Sequence, residues 1–167
     1  LFHSDLSLIA RDRQAAYFHE PEGANILLCT EIGSEGRNFE FAHDLILFDL
    51  PSNPDLLEQR IGRLDRIGQS QDITIHVPYI KNSYEEIYFE WYHRAINGFE
   101  NTSKGAMKIL EANKETFNKA ITQCKEYFVN DHKLLNTFIE KSHKEYTELA
   151  IVLESGRDIL IEINSFN

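Results

Sequence analysis

The residues N-P-D-L-L-E-Q-R-I-G-R-L-D-R-I-G-Q, Asn53 to Gln69, decide how the rest of this 167-residue chain is read. Asn53 is a good N-cap, and Pro54 suits the first helical position with its preset φ and missing N–H. Gly68 can supply a left-handed stop. The stretch therefore predicts a helix of about three and a half turns. At about 100° per residue, Leu57, Ile61 and Leu64 fall on one stripe, with Gln59, Arg63 and Arg66 on the opposite face. Arg63 and Arg66 stand three apart, so their planar guanidinium forks can converge on one polyanion. Gly62 costs about 1 kcal/mol relative to alanine in a helix interior, which implies a close packing partner. A solvated face kept basic for solubility is the plainer alternative.

Outward from this stretch, Ile26–Cys29 and Leu45–Phe48 are continuous apolar runs, the pattern of parallel strands covered on both faces. With Ile73–Val77 as a further strand, Leu45 to Val77 reads strand, helix, strand, long enough for a right-handed crossover. Leu1-Phe2-His3 reads as the tail of a strand, and the missing initiator methionine suggests a fragment. Ser4 and Ser7 offer caps for a helix over about 5–19, ended by Pro21-Glu22-Gly23. Between the first two apolar runs lies T-E-I-G-S-E-G-R-N-F, Thr30 to Phe39. Its two glycines three apart permit a loop whose backbone approaches a ligand at the carboxyl edge of the sheet, although an ordinary turn has the same composition. Asp49, at the end of a strand, is expected to hydrogen-bond a neighbouring loop.

From Asn82 onward the pattern turns helical. Tyr84, Ile87, Tyr88, Trp91, Ile96 and Phe99 sketch one apolar stripe; Ile109, Leu110, Phe117, Ile121, Cys124 and Phe128 sketch another. Both read as core. Gly105 and Asn130-Asp131 are the expected breaks, and Ser155-Gly156-Arg157 is expected to interrupt or bend the last helix. The predicted organisation is an α/β region over residues 1–80 followed by a helical region over 81–167.

The formal net charge is −10, which argues against a free-standing nucleic-acid binder working by overall attraction. No lysine precedes Lys81, and no phosphate-cradling G-x-x-x-x-G-K-[ST] loop occurs; nucleotide chemistry would need that loop from another segment. No apolar run approaches the length of a membrane span, and a secretory leader pattern is absent. Cys29 and Cys124 form no C-x-x-C, which points to a reducing cytosol. The seven scattered histidines show no metal-ligand spacing, and no G-x-S-x-G signals a serine hydrolase.

Three ordered stretches, T-E-I-G-S-E-G-R-N-F, F-D-L-P-S-N-P and Q-R-I-G-R-L-D-R-I-G-Q, resemble motifs V and VI of the superfamily-two helicases and translocases in the Swi/Snf-type variant ending R-I-G-Q. Residues 26–80 are also similar to bacterial RNA polymerase-associated ATPases of that group. The resemblance implies a partial RecA-like second helicase lobe with a parallel sheet. It further implies that Arg63 and Arg66 act as arginine fingers on the γ-phosphoryl group of ATP, with Gln59 coupling the nucleotide to the cleft. By the same resemblance Gly36 and Asn38 lie near the nucleotide ribose, Thr30 contacts nucleic-acid backbone, and Asn53 belongs to the N-P preceding motif VI, on the nucleic-acid side. ATP and Mg²⁺ would be held mainly by a first RecA-like lobe of the same protein, with double-stranded DNA and RNA polymerase as partners in the bacterial cytosol. Many Swi/Snf-type members have an acidic residue before the first finger, where this chain has Gly62.

The implied activity is ATP-driven translocation on double-stranded DNA by the whole protein, with this piece inactive alone. Two rival expectations remain at this point: a non-catalytic module that docks on polymerase, and a strand-separating helicase lobe.

Overall fold

Ser7 starts the first helix: its Oγ accepts from the Ala10 amide at 3.3 Å, giving α1, Leu8–His19. A computed structural model of the chain describes the backbone of residues 1–31, 38–127 and 133–165, and their side chains except at 123–127, 154 and 156–165. These fall into two units, Leu1–His43 with Arg63–Asp72, and Asp44–Gly62 with Ile73–Asn167.

In the first unit α1 stops where Pro21-Glu22-Gly23 is expected to stop it. The amides of Gly23 and Ala24 turn back to the carbonyls of Glu20 and Tyr17 at 2.9 and 3.1 Å. A Cβ on Gly23 would fall 1.7 Å from Tyr17 O, so only glycine closes this turn. Phe2 pairs with Cys29 in a parallel bridge, consistent with a strand tail at the start of the chain. Ile26–Cys29 is otherwise not a strand, and Ile26 is 79% exposed. The core here is aromatic: Phe39 meets Phe2 and Phe18 edge-on with centroids 6.5 and 6.0 Å apart.

In the second unit β1, Asp44–Ile46, and β2, Thr74–His76, pair in parallel with Leu45 opposite Ile75. Leu45 and Ile75 pack toward the core, whereas Phe48 is 82% exposed. The expected burial on both faces is therefore not met. The two short strands turn Leu45 and Ile75 toward the core, while Ile46, next to Leu45 in the pleat, is 61% exposed.

The connecting helix corrects the sequence reading most. Asn53 caps it as expected, its Oδ1 accepting from Asp55 N at 2.9 Å. Yet α2 spans only Pro54–Ile61 and ends on Gly62, whose amide still reaches Glu58 O at 2.8 Å. Arg63 and Arg66 lie beyond the helix rather than on its face. Gly62 is thus a cap, and the atom nearest an added Cβ is the helix's own Glu58 O at 3.1 Å rather than a packing partner. The glycine lowers helix propensity at the point where the chain departs.

The rest of this unit is helical: α3, Tyr84–Glu90, then a π turn, Trp91–Ala95, then α4, Ala106–Ala112, α5, Lys114–Tyr127, and α6, Lys133–Ser165. Ile87, Trp91 and Ile96 of the first stripe and Ile109, Leu110 and Phe117 of the second are buried. The side chain of Cys124, together with Phe128 and the break at Asn130-Asp131, lies outside what the structure describes. Gly105 does open α4, with φ +81°. The backbone of α6 stays helical through Ser155-Gly156-Arg157, where an interruption is expected. Leu57 of α2 is part of the same core as Trp91, Tyr92 and Phe138. No helix among the described residues is long and apolar enough to cross a membrane.

Two outcomes follow from this packing. Gly105 combines positive φ with a Cβ position 2.6 Å from Leu149 Cδ2, so Gly105→Ala is expected to cost about 1–3 kcal/mol, read as a lower midpoint in urea. The Tyr92 hydroxyl donates to Pro51 O at 2.7 Å, and burial pushes its phenol well above the usual range. The folded state then holds that proton more tightly than the unfolded chain. Its stabilisation is complete below about pH 10 and is lost as pH rises further. Thermal midpoints should fall across that range, and less steeply in Tyr92→Phe.

Candidate functional site

Motif V and motif VI meet in the first unit through one backbone bond. Phe39 N–H donates to Arg63 O at 2.7 Å. A helix continuing past Gly62 would offer that carbonyl to Ile67; here it serves a different segment instead. Phe39 and Leu64 are both buried, which fixes the two residues beside them: Asn38 before Phe39 and Arg63 before Leu64. Asn38 is exposed and Arg63 is half-buried. Thr30 joins from the third side, its amide donating to Phe2 O at 3.0 Å while the Phe2 ring packs on Phe39.

Arg66 is set by a turn. Gln69 N–H returns to Arg66 O at 3.0 Å, and Gly68, third of the four turn residues, has φ +116°. That conformation favours glycine, so R-I-G-Q reads physically as a tight turn with its glycine where positive φ is needed. Arg66 opens the turn and is exposed.

Gln69 closes the arrangement, and sequence reasoning gave it no role beyond its place in the motif. Its Nε2 donates to Ala42 O at 2.9 Å and to Leu64 O at 3.4 Å, while its Oε1 accepts from Gln71 N at 3.1 Å. A glutamine just after a turn glycine is a visible signal of a brace. Its acceptor in Ala42 is not visible, because nothing local links residues so far apart in the chain.

The expected site residues therefore divide. Thr30, Asn38, Arg63 and Arg66 belong to the first unit; Asn53 and Gln59 belong to the second. Gln59 is exposed on α2, and Asn53 uses its side-chain oxygen as the helix cap. Gly36 lies outside the described residues. Asp49 hydrogen-bonds α2 rather than a loop: Arg60 donates to Asp49 O at 2.6 Å and lies 3.4 Å from its carboxylate. Among the described residues no group of three or more His, Cys, Asp or Glu side chains is placed to hold a metal ion. The site offers guanidinium, amide and hydroxyl groups, a set suited to phosphate and sugar oxygens.

Residues 72–167 match the family described as RNA polymerase recycling family C-terminal. The chain belongs to that family. Residues 1–68 match the helicase conserved C-terminal domain, so the α/β part belongs to a RecA-like helicase lobe. Similar relatives are the RNA polymerase-associated proteins RapA of Pseudomonas putida and Photobacterium profundum, each 48% identical over 166 residues. The RapA of Erwinia tasmaniensis is 47% identical over 168 residues. Each alignment covers 99% of this chain and 17% of the relative. This member of the RNA polymerase recycling family thus spans about a sixth of the curated relatives' length.

The brace has a measurable consequence. Gln69→Ala removes both side-chain donations and is expected to cost about 1–3 kcal/mol. Amide exchange at Phe39 should accelerate in that variant if Gln69 holds the two segments together.

Proposed function

We propose that this chain is part of the second RecA-like lobe, with its adjoining helical region, of an ATP-dependent double-stranded DNA translocase that binds RNA polymerase and promotes its recycling. Family membership supports the polymerase connection, and the helicase-domain match supports the motor. The observation that carries the reading is the Phe39–Arg63 backbone bond, which ties the end of motif V to the first motif VI arginine.

In this reading Arg63 and Arg66 are the fingers that stabilise charge developing on the γ-phosphoryl group of ATP. Their guanidinium forks fit phosphate oxygens. Mg²⁺ is left to the first lobe of the same protein, which also supplies the phosphate-cradling loop. Gln59 couples the nucleotide to the cleft, and Gly36 and Asn38 serve the ribose side. Thr30 and Asn53 take nucleic-acid backbone. Closure of the two lobes is then needed before hydrolysis, so the piece described here is inactive by itself. The net charge of −10 leaves most phosphate neutralisation on DNA to other parts of the protein.

The deciding experiment is DNA-stimulated ATP hydrolysis by the full-length protein. Arg63→Ala or Arg66→Ala is expected to lower kcat by about 10³-fold or more, with nucleotide binding much less affected. A loss smaller than about tenfold would remove the finger role.

A further inference from the structure

We infer that Ile67 is a docking residue of the finger site: its side chain enters an apolar pocket on the first RecA-like lobe of the same protein as that lobe closes on Arg66. This inference rests on the finger role proposed above and adds an apolar contact beside it. Ile67 is 104% exposed, above even Phe48 at 82%. The local structure does not call for an isoleucine there. Ile67 is the second residue of the turn from Arg66 to Gln69, whose bend is supplied by Gly68 at φ +116°. The turn is closed by Gln69 N–H on Arg66 O at 3.0 Å, and the Gln69 side chain fastens it to Ala42 and Leu64. Gly, Pro, Asn, Asp and Ser dominate turn positions, and a β-branched apolar side chain contributes nothing to such a bend.

Other exposed apolar residues of this unit sit in stretches suited to pairing or packing, as Ile26 does in its apolar run. A turn residue offers no face for a further strand or helix to cover. What its position does offer is proximity. The Cα atoms of Arg66 and Ile67 are about 3.8 Å apart, so a surface that receives the Arg66 guanidinium comes within reach of Ile67. The two side chains then do different work. The guanidinium supplies charge and direction, while the isoleucine supplies a non-directional attraction that grows with the apolar area removed from water. Full burial of an isoleucine is worth roughly ten- to a hundredfold in a docking equilibrium. The partner is the first lobe because Arg66 is read as reaching ATP, and that lobe holds the ATP. The backbone bonds around the turn present Ile67 before the lobe arrives, so little of this gain is lost to ordering the main chain.

The test uses the full-length protein without polymerase, with DNA-stimulated ATP hydrolysis and a dye pair on the two lobes that reports closure with a non-hydrolysable ATP analogue. Ile67→Ser is expected to lower kcat at least about fivefold and to reduce the closed fraction, while KM for ATP stays within about threefold. The melting temperature of the nucleotide-free protein should not change, because the side chain is fully exposed there. Ile67→Leu keeps the apolar volume and should hold kcat within about twofold. A kcat within about twofold in Ile67→Ser overturns the proposal, as does an unchanged closed fraction or a loss in Ile67→Leu as large as in Ile67→Ser. A higher DNA concentration for half-maximal stimulation, with kcat intact, overturns it in favour of a nucleic-acid contact. Failure of the finger reading has a different signature: Arg66→Ala then retains its kcat.

Discussion

The carbonyl of Arg63 accepts from the Phe39 amide rather than from a next turn of helix. That choice sets most of the first unit. A backbone group taken out of a helix must find another partner or carry a desolvation cost of about 1–3 kcal/mol. Once Phe39 N–H supplies it, the segment before Phe39 and the segment after Gly62 are locked side by side. Leu64 and Phe39 are buried, and Arg63 and Asn38 are the residues immediately before them. Gln69 repeats the device a turn later, fastening Leu64 and Ala42 with one amide.

This arrangement also gives the motif its physical meaning. On a longer helix the two arginines would share one face by periodicity, and any tilt of the helix would move both together. Here the first follows a glycine cap and the second opens a glycine-bearing turn, each held by its own backbone bond. Their backbone is held by Phe39 and Gln69. A bare guanidinium on an exposed turn pays side-chain entropy whenever it is ordered against a ligand; firm backbone on both sides confines that loss to the side chain itself.

Much of this was legible in the sequence, in a graded way. Local signals are reliable: the caps Ser7 and Asn53, the stop at Gly23, the break at Gly105, and the apolar positions Leu57, Leu64, Ile87 and Trp91; Gly68 is left-handed as expected, but in a turn and not as the stop of α2, which ends on Gly62. These depend on a few neighbouring residues and on side-chain chemistry. The length of α2 was misread because periodicity continued through Arg63 and Arg66 while the hydrogen bonds did not. Periodicity counts side chains; the competing acceptor partner came from Phe39, outside any local window. The strands were misread for a related reason. A continuous apolar run reports what a segment is suited to face, and Ile26, Ile46 and Phe48 remain exposed among the described residues. The π turn at Trp91–Ala95 carried no sequence signal at all, although the structure answers one of its carbonyls with the His143 ring at 3.0 Å.

The second unit shows why the boundary of a sequence family need not be a boundary of packing. The family match to the helical region begins at residue 72, yet α2 contributes Leu57 to the core formed by α3, the π turn and α6. Three polar ties reinforce that burial: Tyr92 to Pro51, Ser103 to Glu58, and Arg60 to Asp49. The first two tie the region around α2 to the π turn and to the segment before α4, which follow it by tens of residues. Burying a leucine is non-directional and tolerates small rotations, whereas a hydroxyl and an amide each meeting one oxygen do not. The helical region is therefore structural support for the motif VI helix, and its constraint on α2 is orientational as well as adhesive.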